Sequence, residues 1–253
     1  MVTLSVAVAH APWDPWRRAN LLSIHRALGG IRGVRRDATD FEIVTDYDRS
    51  GCWATERRAL MAGIGSGTHH LLLEDDVELC RDFLPGVKKL IAANHEVPIA
   101  LFSVEPEVAY AAESGRCWLK TPAGAVSIAM VLPSWMIRPL LDWQERYFAD
   151  ASPHTDIRIS LFCLERGIPV WVTAPCLVEH AGAKKSLMNH NRSAWRAGRF
   201  IGDLSPLEID WAAGVADPYY ANINRRWAIA KFRRKGFFRE EPTWPRARRW
   251  GAP

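Results

Sequence analysis

The sequence predicts an α/β fold with a mostly parallel β-sheet flanked by helices. Short apolar runs alternate along the chain with longer segments of helical periodicity, and this alternation is typical of domains with a parallel sheet. The chain has 253 residues, of which 48% are hydrophobic and 24% charged, so it is long enough to bury a sizeable core. Neither an internal repeat nor a low-complexity segment interrupts the pattern. We therefore expect one main folded domain.

The first half of the chain alternates predicted strands with predicted helices. We expect strands at residues 4–9, 41–45, 70–73 and 99–104, and helices at residues 14–28, 53–64 and 81–94. The first helix has clear start and end signals, because Asp14 is a favourable N-cap, Pro15 suits the first turn and Gly29 ends the pattern. Gly65 and Gly67 end the second helix in the same way.

The second half of the chain is less regular. We expect a strand at residues 126–132, a helix from Pro133 to about residue 148, a helix at 156–166 and a strand at 170–173. Beyond Asp203 the periodicity weakens. The sequence therefore predicts a main domain at residues 1–202 and a C-terminal extension at residues 203–253.

The positive charge of the chain is concentrated near its end. The chain carries a net charge of +5, but residues 225–253 contain ten Lys or Arg against two acids, which gives +8 for this segment and −3 for the remainder. The same segment contains several aromatic residues: Trp227, Phe232, Phe237, Phe238, Trp244 and Trp250. The extension is thus both basic and aromatic.

The cysteines and the lengths of the apolar runs indicate in which cellular compartment the protein is expected. Five widely spaced cysteines without a Cys-X-X-Cys pair favour a reducing environment over a disulfide or zinc framework. The apolar N-terminus lacks a preceding basic region, so we do not expect a signal peptide. No uninterrupted apolar run approaches the roughly 18 to 20 residues that span a bilayer. We expect a cytoplasmic protein with no transmembrane segment.

Three consecutive acids, Glu74, Asp75 and Asp76, follow the predicted buried strand at residues 70–73. In an open parallel sheet, ligands bind at the carboxyl ends of the strands, which is where these acids are expected to lie. Adjacent carboxylates repel one another unless a cation neutralises them, and a divalent ion would do so. The alternative interpretation is a solvated acidic turn that stabilises the start of the following helix.

The run from Leu73 to Val77, Leu-Glu-Asp-Asp-Val, resembles the Asp-X-Asp motif of GT-A glycosyltransferases in its Leu-Glu-Asp-Asp form. The resemblance covers roughly residues 1–190 and implies a GT-A-like, Rossmann-type sheet, with a donor half at about residues 1–105 and an acceptor half at about 106–202. It implies that Asp76 binds Mn²⁺ or Mg²⁺, while Glu74 and Asp75 contact the donor ribose or metal-bound water. The first acid departs from the motif, because it is Glu rather than Asp.

The stretch from Pro175 to His180 resembles the segment in which a histidine after a strand completes the metal shell of these enzymes. The resemblance thus implies that His180 binds the metal, although a single histidine is also compatible with a structural role. Lys184 and Lys185, which follow in a glycine-containing loop, are predicted to stabilise a diphosphate. The alternative interpretation of these lysines is a solvated basic loop.

The remaining candidates concern the acceptor and the donor nucleotide. Asp156 resembles the acid that serves as general base in this superfamily, although its position also suits an ordinary acid in the first turn of a helix. Contacts with the nucleotide, expected to be UDP, should come from the ends of the first two strands and from the following helix. The candidates for these contacts are His10, Asp46, Asp48 and Arg57.

The basic, aromatic extension leaves the acceptor open. Lys and Arg bind phosphate backbones and aromatic rings stack on exposed bases, so one candidate acceptor is a hydroxymethylated base in DNA, as in phage DNA-modifying enzymes. A glycan or a lipid-linked acceptor at an anionic membrane is a second candidate. The segment is also compatible with a packed helix, and a non-catalytic nucleic-acid-binding protein with the same fold is a further alternative.

Overall fold

A computed structural model describes residues 2–29, 41–94, 96–121, 127–149, 155–181, 195–216, 230, 233–240 and 242. These residues form an α/β domain around a mixed, mostly parallel sheet of eight strands, and a smaller sheet of two strands lies beside it. The expected α/β class is therefore confirmed.

The first half of the chain forms five strands and three helices. In chain order they are β1 (Leu4–His10), α1 (Pro15–Ala27), β2 (Phe41–Thr45), α2 (Cys52–Ala62), β3 (His69–Glu74), β4 (Val77–Leu79), α3 (Phe83–Ala93) and β5 (Ile99–Ala100). Helix α1 begins as the sequence indicated, because the Asp14 carboxylate accepts hydrogen bonds from the amides of Trp16 and Arg17.

The second half of the chain completes the large sheet and covers one of its faces. Its elements are α4 (Glu107–Glu113), β6 (Trp118–Thr121), β7 (Ala129–Pro133), α5 (Ser134–Tyr147), α6 (Thr155–Arg166), β8 (Val170–Thr173), β9 (Val178–His180), a 3-10 turn (Pro206–Glu208) and β10 (Val215–Ala216).

The large sheet has the strand order β10-β6-β8-β5-β7-β3-β1-β2. Strands β2, β1 and β3 are parallel neighbours, and β7 pairs antiparallel with both β3 and β5. Five strands run in one direction, while β6, β7 and β10 run in the other. The carboxyl ends of β1, β2 and β3 therefore meet at one edge of the sheet.

Two hydrophobic cores pack against opposite faces of this sheet. Side chains alternate along each strand, so Leu71 and Leu73 of β3 belong to one core and Leu72 belongs to the other. Helices α1 and α3 cover the first face, and helices α2, α4, α5 and α6 cover the second. This arrangement explains why β1 and β3 consist almost entirely of buried residues.

Several predicted boundaries differ from the observed ones. The strands at residues 41–45 and 170–173 have the expected bounds, whereas the expected strand at 99–104 is limited to Ile99–Ala100. The helix expected at 81–94 begins at Phe83. Strands β4, β6, β9 and β10 and helix α4 were not predicted, and residue 126 of the expected strand at 126–132 lies outside the described residues.

Part of the predicted C-terminal extension packs on the main domain. Trp211 is buried against Trp118, whose indole nitrogen donates to the Trp211 carbonyl at 2.8 Å, and β10 pairs with β6. Farther along, the Phe238 ring lies 5.0 Å from that of Phe148, and the amide of Ala149 donates to the carbonyl of Phe237. Among the described helices, none has the length and apolar character needed to cross a bilayer.

Candidate active site

The acidic triplet lies at the carboxyl edge of the large sheet, where β3 ends and the small sheet begins. Glu74 is the last residue of β3, and β4 starts immediately after Asp76. Strand β4 pairs antiparallel with β9, so that Val77 lies opposite His180. This pairing places the His180 Nε2 atom 3.0 Å from the Asp76 Oδ2 atom. The two sheets thus bring together residues that are 104 positions apart.

Arg17 of α1 bridges the two aspartates. One guanidinium nitrogen contacts Asp75 Oδ1 and another contacts Asp76 Oδ2, so that Arg17 forms two buried ion pairs. Burial alone would raise the pKa of Asp76, but the hydrogen bond with His180 and the charge of Arg17 hold this pKa below its usual range. The crowded acids of the sequence therefore have a cation within the chain itself, and this cation was missed because only divalent ions were considered.

Asp75 is fully buried and is also held from the first strand. Its Oδ2 atom lies 2.7 Å from the Nδ1 atom of His10 and accepts a hydrogen bond from the amide of Ala11 at 2.7 Å. Residue His10 ends β1, so the end of β1 and the end of β3 are joined through this carboxylate. Asp75 is thus positioned by β1 and α1 together.

Asn20 fixes the backbone of the turn between β3 and β4. Its side-chain amide donates to the carbonyls of Asp75 and Val77 at 2.8 and 2.9 Å. Asn20 lies one turn after Arg17 on the same face of α1. The sequence analysis missed both residues, because their three-residue spacing shows only that they share a helix face and not what that face contacts.

Two buried polar atoms at this edge have no hydrogen-bond partner within the described part of the chain. They are Asp76 Oδ1 and His180 Nδ1. The His180 ring packs edge-on to Phe102, with 6.3 Å between the ring centroids. An unpartnered buried polar atom is costly in a folded protein, so a ligand that bonded to either atom would be stabilising.

A further buried acid, Glu56 of α2, belongs to the same cluster. Its Oε1 atom accepts a hydrogen bond from the thiol of Cys52 at 2.7 Å. Burial, followed by the charges of Asp156 and Asp76, raises the pKa of Glu56 to about 7. Burial and the charges of Glu56 and Asp76 likewise raise the pKa of Glu74 well above its usual range.

The sequence analysis did not select Glu56. The available signal was an acid on the buried face of a helix, because Glu56 follows Trp53 at three residues and precedes Leu60 at four. Both of those apolar neighbours are buried in the core. A charged residue between two buried apolar residues on one helix face indicates a functional or paired group.

The other predicted site residues differ in what the structure shows of them. Asp156 is partly buried in the first turn of α6, where its Oδ1 atom accepts from the amide of Ile157 at 2.8 Å. Arg57 forms an ion pair with Glu145 of α5. Asp48 is exposed in the loop after β2. Lys184 and Lys185 lie outside the described residues.

Asp46 organises the loop between β2 and α2. Its Oδ1 atom accepts from the amide and the hydroxyl of Ser50, at 2.8 and 2.6 Å, and its Oδ2 atom accepts from the amide of Gly51 at 3.0 Å. Gly51 has a φ of 96°, which a residue with a Cβ atom rarely adopts. The carboxylate of Asp46 therefore holds the turn that starts α2.

The metal-ligand set expected from the sequence is present only as a pair. Asp76 and His180 face each other, but in the part of the chain that the structure describes, no three His, Cys, Asp or Glu side chains form a group that could hold a metal ion. Any further ligand would have to come from a bound substrate or from other residues.

A comparison with protein-family models found no match for the chain. A search of curated proteins found no match either.

Proposed function

We propose that this protein is a glycosyltransferase that moves a sugar from a nucleoside diphosphate donor, expected to be a UDP-sugar, to an acceptor hydroxyl. One observation carries the proposal: Asp75 and Asp76 are buried at the carboxyl end of a central strand, and His180 of the small sheet lies 3.0 Å from Asp76. Ligands of open α/β sheets bind at such edges. The Leu-Glu-Asp-Asp sequence at this position supports the same interpretation.

Asp76 and His180 are the residues that would hold a divalent ion, Mn²⁺ or Mg²⁺. A carboxylate oxygen and an imidazole nitrogen are suitable ligands for such an ion, and Asp76 Oδ1 and His180 Nδ1 have no hydrogen-bond partner within the described residues. Magnesium-type sites commonly use one or two protein ligands and take the rest from substrate phosphates and water. A pair of protein ligands therefore fits an ion that arrives with a diphosphate.

Arg17 makes metal binding dependent on the nucleotide. Its guanidinium contacts the same Asp76 oxygen that faces His180, so a divalent ion alone would meet a like charge beside it. A diphosphate adds negative charge and provides oxygens with which an arginine pairs well. We therefore expect the metal and the nucleotide to bind cooperatively.

The bound ion would offset the negative charge that develops on the departing diphosphate. The residues of the chain position the substrates: Arg17 and the expected lysines, Lys184 and Lys185, attract the diphosphate, and Asp156 is the candidate for accepting the proton of the acceptor hydroxyl. His10 holds Asp75 in its orientation.

The proposed acceptor is a hydroxymethylated base in DNA. The support is the composition of residues 225–253, in which ten basic residues are mixed with aromatic ones. Within the described part of this segment, Arg234 and Lys235 are exposed, while Phe237 and Phe238 pack toward the core. These two basic side chains are available for phosphate contacts.

Thermal unfolding with UDP, with MnCl₂ and with both ligands tests the proposal. We expect stabilisation mainly when both are present, by about 2.7 kcal/mol when the nucleotide is at 100 times its Kd. Asp76→Asn should abolish this stabilisation, whereas Asp142→Asn, which changes an exposed acid on α5, should retain it. Identical melting under all conditions, or equal stabilisation of Asp76→Asn, would refute the proposal.

A further inference from the structure

Strand β9 has an outer edge that faces away from β4. His180 lies opposite Val77 in the β4–β9 pair. The amide of the next residue, Ala181, donates to the carbonyl of Asp76 at 2.7 Å. In an antiparallel pair, this pattern makes His180 and Val77 a non-hydrogen-bonded pair, so the backbone amide and carbonyl of His180 point away from β4. Both groups therefore find their partners on the outer edge.

A later part of the chain covers this outer edge and is fixed to it on both sides of residue 196. The Glu179 carboxylate accepts from the amide of His180 at 2.7 Å and from the amide of Ala197 at 3.0 Å. The amide of Gly198 donates to the carbonyl of Ser103 at 2.8 Å. A Cβ atom at Gly198 would lie 2.1 Å from a backbone carbonyl oxygen, so this close approach requires glycine.

Arg196 extends from this fixed segment to the carbonyl of His180. Its Nη1 atom donates to that carbonyl oxygen at 3.2 Å, and the imidazole of the same histidine lies 3.0 Å from Asp76. The guanidinium therefore contacts the residue that is proposed to hold the metal ion. Arg196 is exposed, and a guanidinium has five N–H donors, so the side chain can bind a ligand while it keeps this hydrogen bond.

The positive charge of Arg196 is available to a ligand, whereas that of Arg17 is already shared. Arg17 is buried and forms ion pairs with Asp75 and Asp76. The partner of Arg196 is a neutral carbonyl, which does not cancel its charge. A guanidinium binds a phosphate through two parallel hydrogen bonds, which a carbonyl does not offer. A phosphate beside His180 would thus find its counter-charge in Arg196.

We propose that Arg196 binds the β-phosphate of the donor, which is the phosphate that carries the sugar. The proposal rests on the proposed glycosyltransferase function and adds a residue that the sequence analysis did not select. A diphosphate bound to an ion at Asp76 and His180 would lie at the edge to which this guanidinium is attached. When the bond between sugar and phosphate breaks, its electron pair stays on the phosphate oxygen, and a cation beside that oxygen is stabilising.

Binding of UDP and UMP in the presence of Mn²⁺ tests this role, because UMP lacks the β-phosphate. Calorimetry measures the affinity for UDP, and displacement of bound UDP measures that for UMP. Arg196→Gln should weaken UDP about tenfold or more and UMP less than about twofold. Arg196→Lys keeps the charge but loses the paired hydrogen bonds, so its affinity for UDP should lie between those of Arg196→Gln and the wild type. Arg199→Gln, at an exposed arginine of the same segment, is the matched control and should bind both nucleotides normally.

The outcomes separate this proposal from the proposed function. If the wild type binds UDP with Mn²⁺ but Arg196→Gln weakens UDP and UMP equally, or weakens neither, the contact of Arg196 with the β-phosphate is refuted and the function stands. If the wild type binds neither nucleotide, both are refuted. A near-ultraviolet circular dichroism spectrum identical to that of the wild type checks that each variant is folded.

Discussion

At the scale of single residues, the site combines a neutralised acid pair with an acid that has no counter-charge. Asp75 and Asp76 share the guanidinium of Arg17, and the pKa of Asp76 is held low by His180 and Arg17 against the effect of burial. Glu56 has the neutral side chains of Cys52 and Thr155 beside it, and burial raises its pKa. Carboxylates with such different pKa values in one site are typical of active sites.

The raised pKa of Glu56 predicts a loss of stability as pH rises. The unfolded chain releases this proton near pH 4.5 and the folded chain near pH 7, so the folded state binds more protons between these values. Stability is therefore lost as pH increases through this window. Glu56→Gln cannot titrate, and relative to the wild type it should gain about 2 to 3 kcal/mol of unfolding free energy between pH 5 and pH 8.

Urea unfolding at the two pH values measures this gain. Glu113→Gln removes an exposed acid and should keep a nearly constant difference from the wild type. A Glu56→Gln variant whose stability relative to the wild type is the same at pH 5 and pH 8 would show that Glu56 titrates at its ordinary pKa in the folded protein.

At the scale of elements, helix α1 and the small sheet together position the acids. Arg17 and Asn20 attach α1 to the side chains and to the backbone of the turn after β3. The β4–β9 pairing then brings His180 to the same turn. Helix α1, β4 and β9 thus meet at a single turn.

Arg17→Gln should therefore destabilise the whole domain. Removal of the guanidinium breaks both buried ion pairs and leaves Asp75 and Asp76 with only His10 and His180 beside them, and the loss of a buried pair typically costs about 3 to 5 kcal/mol. Arg18→Gln changes the exposed neighbour on the same helix and should cost less than about 0.5 kcal/mol. Chemical denaturation at neutral pH measures both variants.

Equal stability of Arg17→Gln and Arg18→Gln would mean that the ion pairs with Asp75 and Asp76 contribute nothing to folding. A selective loss in Arg17→Gln that excess Mn²⁺ reduces would agree with the proposed binding of a divalent ion at Asp76, because the ion would replace the missing positive charge.

The elements differ in how well the sequence predicted them. Strands such as β2 and β8 are bounded by turn residues or by glycine-ended helices, and their local pattern was enough to define them. Strands β4 and β9 have three residues each and exist because they pair with each other across about 100 positions. Short strands of this kind have no periodicity, so their prediction requires knowledge of the tertiary pairing.

The same distinction applies to the site. The triplet lies at the end of β3, where ligands of parallel sheets are expected, while His180 comes to it through the antiparallel pairing of β4 with β9. Arg17 and Glu56 were missed because each lies on a helix face whose orientation depends on packing. The side-chain pairs at the edge thus depend on how α1 and α2 dock, which a local pattern does not define.

At the scale of the whole molecule, the charge is divided between an acidic domain and a basic end. Residues 1–224 carry −3 and residues 225–253 carry +8, and the two parts are linked where Phe238 packs on Phe148 and Arg146 pairs with Glu240. Phe237 and Phe238 of this segment pack against the core, while Arg234 and Lys235 beside them are exposed. The described part of this segment is therefore packed on the domain and also exposes positive charge.

This division predicts that DNA binding is dominated by phosphate contacts from the C-terminal segment. Each contact releases counterions, so the logarithm of the binding constant should fall linearly with the logarithm of salt concentration, by roughly 0.7 to 0.9 per phosphate contacted. The double variant Arg234→Gln/Lys235→Gln should lower this slope by about 1.4 on single-stranded DNA if both side chains contact phosphates. The control Arg18→Gln/Arg26→Gln removes the same charge from exposed positions on α1 and should leave the slope unchanged.

Fluorescence anisotropy of labelled single-stranded DNA, from 50 to 300 mM salt, measures the slopes. Equal slopes for both double variants would assign the binding to the net charge of the molecule and not to the anchored segment.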